Sequence, residues 1–223
     1  MKAWCLFEQS GTFKKEFIKL GVNAVDIDIR DDFAQTDYKI DLFAEINKSR
    51  ENKISIFDKI NNKDIALAFF PCTRFNAKIP LLSRGEAAQQ KNWNYEKKIE
   101  YSMKIENEIH NHYQLLCKLI LICIEKRIRL VIENPYTQPH FLHTYLPIKP
   151  SVIHTDRSKY GDTAKKPTQY WFINFKPKQN FCFENLQSEI LWKSDYAKGE
   201  NRQTLRSLIS QTYANRFIRE YIL

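Results

Sequence analysis

Residues 64–70 read Asp-Ile-Ala-Leu-Ala-Phe-Phe, and Pro71 ends the run. A short apolar stretch closed by proline predicts a buried strand that stops there. In an open α/β sheet, ligands sit outside the carboxyl ends of the strands. Cys72 is the first side chain beyond this strand end. With Arg74 close by in sequence, it is a candidate nucleophile. Taken alone, Cys72 reads more plainly as a small hydrophobe at a strand end. Further strand ends that carry chemistry change that judgement.

The chain before this strand follows a strand–turn–helix–strand order. Residues 3–7 read as a strand and residues 8–12 as a turn. Phe13, Phe17, Ile18 and Leu20 follow at helical spacing, with Gly21 as a stop, and residues 24–29 read as a second strand. Such units build parallel sheets. Gly11 in the first turn lets a ligand approach backbone N–H groups at a helix start. An acid at the end of the second strand can take ribose hydroxyls, and Asp26 and Asp28 are the candidates. Asp41 can face a cofactor base edge or, more plainly, cap the helix of residues 42–46. The order β–α–β–α–β predicts a Rossmann-like, doubly wound, mostly parallel sheet with helices on both faces.

Beyond Cys72, residues 76–90 read as a loop with a short helix, and residues 76–112 as a helical lid insertion. Residues 95–127 are helical in pattern, with a break expected at residues 106–112. His110 and His112 are two apart, which suits a surface rather than a metal site. Residues 129–135 form a second chemical strand end. Apolar Leu130-Val131-Ile132 deliver Glu133 and Asn134, and Pro135 stops the run. Glu133 is therefore a candidate proton donor. Residues 156–168 form a basic loop leading into an aromatic strand over residues 169–175. Arg157, Lys159, Lys165 and Lys166 with Tyr160 suit a nucleic-acid backbone and its bases, a solvated loop being the alternative. Residues 202–223 read as a terminal amphipathic helix.

Composition bounds the partners. The 223 residues carry 35 Lys and Arg against 26 Asp and Glu, a formal charge of +9, which suits a polyanion such as DNA. The five cysteines are scattered without a CxxC pair, so no zinc cluster is expected. Their odd number and the absence of a signal peptide point to a reducing cytoplasm. The most apolar run, residues 115–124, is interrupted by Lys118 and too short to span a bilayer.

The order of these motifs resembles the DNA cytosine-5 methyltransferases, catalytic domain only. Leu6-Phe7-Glu8-Gln9-Ser10-Gly11-Thr12-Phe13 is similar to the cofactor-binding first motif, with Gln9 where a glycine is usual. Asp26-Ile27-Asp28 is similar to the acidic end of the second strand. Pro71-Cys72 looks like the nucleophile motif. Glu133-Asn134-Pro135 looks like the Glu-Asn-Val motif, with proline for valine as in some phage-type relatives. Tyr160-Gly161 through Trp171 is similar to the phage-type motif that holds the cytosine and its phosphate. There the usual Arg-x-Arg reads Pro167-Thr168-Gln169, and Lys165 and Lys166 stand in for the charge. Tyr213-Ala214-Asn215 resembles the final motif near the cofactor.

The resemblance implies a single domain over residues 1–223, with the class I S-adenosylmethionine-dependent methyltransferase fold. It implies Cys72, Glu133, Asn134 and Arg74 as catalytic residues, and S-adenosylmethionine as cofactor. The cofactor would be held by Phe7, Ser10, Gly11, Thr12, Phe13, Asp26, Ile27, Asp41, Pro71 and Asn215. In that chemistry a thiolate adds to C6 of a flipped-out cytosine, an acid holds N3, and the methyl group passes to C5. The usual target-recognition domain has no room between residues 176 and 201, so a partner protein would supply recognition or selectivity would be low. Two alternatives stand beside this reading. One is a noncatalytic methylase-fold module binding DNA or a partner in phage–host conflict. The other is a pyrimidine methyltransferase acting on RNA or free nucleotide.

Overall fold

Three strands carry the expected pattern of a sheet buried on both faces. In the computed structural model, which describes residues 1–75, 78–136, 141–182 and 208–223, these are β1 (Lys2–Leu6), β4 (Ile65–Ala68) and β5 (Arg129–Pro135). Successive side chains alternate between two apolar layers. Trp4, Leu6, Ala66, Ala68, Leu130 and Ile132 face one layer; Ala3, Cys5, Ile65, Leu67 and Val131 face the other. Both layers are buried and apolar, which is why near-continuous apolar runs form these strands. Full burial of each large aliphatic side chain contributes about 1.5–3 kcal/mol.

The other strands are β2 (Asn23–Asp28), β3 (Tyr38–Lys39), β6 (Val152–His154) and β7 (Thr168–Ile173). The seven-stranded sheet runs β3-β2-β1-β4-β5-β7-β6. It is parallel from β3 to β5, while β7 lies antiparallel to both β5 and β6. The doubly wound α/β expectation holds. The two-residue β3 and three-residue β6 are too short to leave a pattern in sequence.

Helices α2 (Leu42–Arg50) and α4 (Tyr95–Glu125) cover the first layer. Helices α1 (Thr12–Lys19) and α6 (Gln211–Phe217) cover the second, and α6 continues as a π-helical turn over Ile218–Ile222. Two short helices, α3 (Ile79–Ser83) and α5 (Phe141–Tyr145), complete the described α-helices.

Helix α4 corrects one expectation: it runs 31 residues without the break foreseen at residues 106–112. It contains neither glycine nor proline. Its first half also has its own apolar support, because Ile105 and Ile109 pack with Ile79 of α3. Residues 76–112 are thus α3, a 3₁₀ turn at Ala88–Gln90 and the first half of α4, with Asn76 and Ala77 outside the described residues. Among the described residues, no helix is long and apolar enough to cross a membrane, and no group of three or more His, Cys, Asp or Glu gathers to hold a metal.

Candidate functional site

The chain turns away from β1 to β2 on one side and from β4 to β5 on the other. Ligands of open α/β sheets bind outside the strand ends at such a switch point. A cleft of about 1300 Å3 lies there. Its lining has two halves. Phe7, Glu8, Ser10, Asp28, Ile29 and Phe43 line the β1–β2 half; Cys72, Glu133, Arg157 and Lys166 line the other. Phe69, Phe70 and Pro71 also line it, at the end of β4.

Cys72 sits in a turn closed by a hydrogen bond from the Phe75 N–H to the Cys72 carbonyl, 3.0 Å. Phe75 is fully buried, stacked on Phe70 and Phe141, and so pins the turn. Asn134 adds a second clamp. Its Nδ2 donates to the Phe70 carbonyl at 2.8 Å, tying the end of β5 to the residue before Pro71. Asn134 is fully buried and absent from the cleft wall, so it positions Cys72 rather than meeting a ligand. Arg74, expected beside the thiol, turns the other way and pairs with Glu108 of α4 at 2.5 Å. The cation that influences Cys72 is Lys166. Burial pushes the thiol up from its ordinary value, Lys166 pulls it back and Glu133 adds to the rise.

Glu133 is 8% exposed and opens onto the cleft. Thr168 at the start of β7 donates to its Oε1 at 3.4 Å. Beside it, the Gln169 amide donates to the Pro135 carbonyl at 3.0 Å, and the Tyr136 N–H to the Pro167 carbonyl at 3.0 Å. Pro167, Thr168 and Gln169 therefore lock the strand end that presents the acid.

In the first half, Phe7 adopts a left-handed conformation, φ 59°, while its N–H still reaches the Ile27 carbonyl. Its ring packs against Phe43 and Phe70. Backbone held this way commonly marks a ligand site. Gly11 needs to be glycine twice over: φ is 65°, and a Cβ would lie 3.3 Å from Asp26 Oδ2. Gly11 and Thr12 shape the turn, with Ser10 and Thr12 hydroxyls 3.0 Å apart, whereas Ser10 and Phe13 line the cleft. Asp41 lines it too, while capping α2 through the N–H groups of Phe43 and Ala44.

Three cofactor assignments are corrected. Asp26 is fully buried and off the cleft wall, its Oδ1 salt-bridged to Lys14 at 2.9 Å and bonded to the Asp37 N–H at 2.7 Å, so it exposes no oxygen to a ribose. Ile27 is buried in the core. Two residues on, Asp28 and Ile29 line the cleft instead, Ile29 at 58% exposure. Burial raises the Asp28 carboxyl above its ordinary value. Asn215 lies away from the cleft and donates to Glu16 of α1 at 3.0 Å, joining α6 to α1.

The basic loop divides as well. Arg157 is fully buried, paired with Asp162 and set over the Tyr213 ring, although it touches the cleft. The Tyr160 ring is stacked on His154 at 3.8 Å with Arg216 over it, so it is not a free stacking platform. Lys159 and Lys165 are exposed outside the cleft, and Lys166 alone of the three lysines lines it. Residue-level reading missed Glu8, Ile29 and Phe43 as cleft residues. The signal for Glu8 was an acid just before a helix start.

No protein-family model matches the chain, and no curated protein matches it. What the fold and cleft define is an α/β protein with a two-part cleft at its sheet switch point, one part carrying a thiol and a carboxylate.

Proposed function

We propose that this protein is a cytosine-5 methyltransferase acting on DNA with S-adenosylmethionine. The observation that carries the reading is the pairing of Cys72 and Glu133. Cys72 stands beyond the end of β4 and Glu133 lies near the end of the adjacent parallel strand β5, and both line one half of a cleft whose other half is walled by aromatic rings and carboxylates. A thiol and an acid on one pocket wall are the groups needed to add to C6 of a cytosine and to hold its N3.

The β1–β2 half fits an adenosine-bearing cofactor. Asp28 offers an acceptor to ribose hydroxyls, Phe7, Ile29 and Phe43 offer apolar surface to a base, and Glu8 and Asp41 offer negative charge. When bound there, S-adenosylmethionine supplies an activated methyl group. The protein supplies the rest. Cys72 adds through its thiolate to C6, and the C5–C6 electron pair becomes available at C5. Glu133 donates a proton toward N3 as charge develops there. After transfer a base takes the C5 proton, the Cys72–C6 bond breaks to return the thiolate, and N3 gives its proton back to Glu133. Lys166 favours the thiolate, and Asn134 and Phe75 hold the turn that presents it. Lys159 and Lys165, exposed beyond the cleft, are suited to phosphates of a duplex whose cytosine is flipped inward.

The test is covalent trapping. The protein is incubated with S-adenosylmethionine and a duplex containing 5-fluorocytosine, whose fluorine blocks release, and is then run on a denaturing gel. A shifted band that Cys72→Ser loses is the expected result. Its absence from wild type, with duplex, single strand and free nucleotide all tried and cofactor binding verified, refutes the enzymatic reading and favours a noncatalytic binding module.

A further inference from the structure

The β1–α1 turn is where an α/β sheet most readily takes a phosphate, because the first N–H groups of the helix are free there. In this protein they are not free. Glu8 folds over the start of α1, and its two oxygens accept from the N–H groups of Phe13 at 2.7 Å and Lys14 at 3.3 Å. The side chain is almost wholly buried, yet it forms part of the cleft wall. The Lys14 ammonium is committed to Asp26 and Asp37. A phosphate reaching this turn would meet a carboxylate in place of donors. A cation would meet a charge that solvent screens weakly.

We infer that Glu8 sets the charge of the ligand this turn accepts, excluding phosphates and selecting a cationic nucleoside. The inference rests on the cofactor reading above and names the residue that would sense the sulfonium. S-adenosylmethionine carries a positive sulfur, whereas its thioether product S-adenosylhomocysteine does not. Glu8 thereby favours the donor over the product. The groups facing Glu8 are the Cys5 thiol on β1, Asp26 on β2 and the backbone N–H groups of Phe13 and Lys14 on α1. Burial pushes the Glu8 carboxyl up to about 7, the two N–H groups pull it down and Asp26 adds to the rise. The selection is therefore strong above neutrality and fades below it.

Isothermal titration of the whole protein tests this with three probes: S-adenosylmethionine, S-adenosylhomocysteine and ATP. At about pH 8 the sulfonium should bind on the order of tenfold tighter than the thioether, and ATP should not compete. At about pH 6 the preference should shrink. In Glu8→Gln the two nucleosides should come within about twofold of each other, at either pH. Wild-type protein that takes ATP as readily as S-adenosylmethionine overturns the inference. So does a Glu8→Gln protein that keeps the wild-type ratio. Should that variant not fold, the wild-type pH dependence decides: a preference that is flat across this range also overturns it. Failure of wild type to bind either nucleoside is a different result, since it refutes the cofactor reading itself and this inference with it.

Discussion

Protonating His154 should loosen the carboxy-terminal helix from the sheet. His154 ends β6, 2% exposed, and bridges two tyrosines of the terminal segment. Its Nδ1 lies 2.6 Å from the Tyr213 hydroxyl and its Nε2 lies 3.0 Å from the Tyr221 hydroxyl. Tyr213 passes the chain on to Tyr170 of β7 at 2.8 Å. Burial, then Arg216 on α6, then Arg157, push the imidazole down from 6.5 to about 4. The sign follows directly. Above pH 6.5 the ring is neutral both folded and unfolded, and its titration contributes nothing further. Between 6.5 and 4 the unfolded chain takes up a proton that the native state refuses, so stability falls as pH falls. The full difference is about 3 kcal/mol, and about 2 kcal/mol of it is already lost at about pH 5. Urea unfolding at about pH 7.5 and about pH 5, on wild type and on His154→Gln, measures it. Ionisations common to both proteins cancel in the comparison. Wild type should lose about 2 kcal/mol more than the variant across that interval. Equal losses, or a native imidazole that titrates near its ordinary value by NMR, would refute the reasoning.

Asp26→Asn should destabilise the fold by about 1–3 kcal/mol, because the Lys14 ammonium keeps Asp37 but loses its buried carboxylate partner. Asp28→Asn should leave the melting temperature near wild type but weaken S-adenosylmethionine binding, so melts with and without the nucleoside distinguish the two acids. Lys166→Gln should slow alkylation of Cys72 by iodoacetamide by roughly a few-fold, and Glu133→Gln should speed it comparably, followed by mass spectrometry of the Cys72 peptide. Asn134→Ala should cost about 1–3 kcal/mol in denaturant unfolding, since the buried Phe70 carbonyl loses its donor.

The acids of β2 show where sequence reading runs out. Asp26 and Asp28 are two apart and share a face of the strand, so alternation cannot choose between them. The choice rests on how far β2 extends toward the sheet edge and on Lys14, which reaches across from α1 to take Asp26. The basic loop poses the same difficulty. Arg157 reads as a phosphate ligand until Asp162, five residues on, closes against it around Gly161 at φ 91°. Arg74 likewise reads as a neighbour of Cys72, but Glu108 lies 34 positions away and becomes its partner only once α4 packs. The break expected at residues 106–112 of α4 was a misreading, since the helix holds no glycine or proline to cause one and α3 packs on its first half.

The local chemistry of the chain determined the doubly wound sheet and brought Cys72 and Glu133 to the same end of it, although β4 already ends at Ala68 and β5 runs on through Glu133 to Pro135. Apolar runs, proline stops and helical spacing act over a few residues, and the order of elements leaves few ways to wind a parallel sheet. Which charged groups face the cleft was decided only by the tertiary structure. Each buried charge must find an opposite charge or a donor, and those partners come from other elements: Lys14 for Asp26, Glu108 for Arg74, the α1 backbone for Glu8. Glu8, Asp28 and Lys166 line the cleft, whereas Asp26 and Arg74, spent on partners of their own, do not.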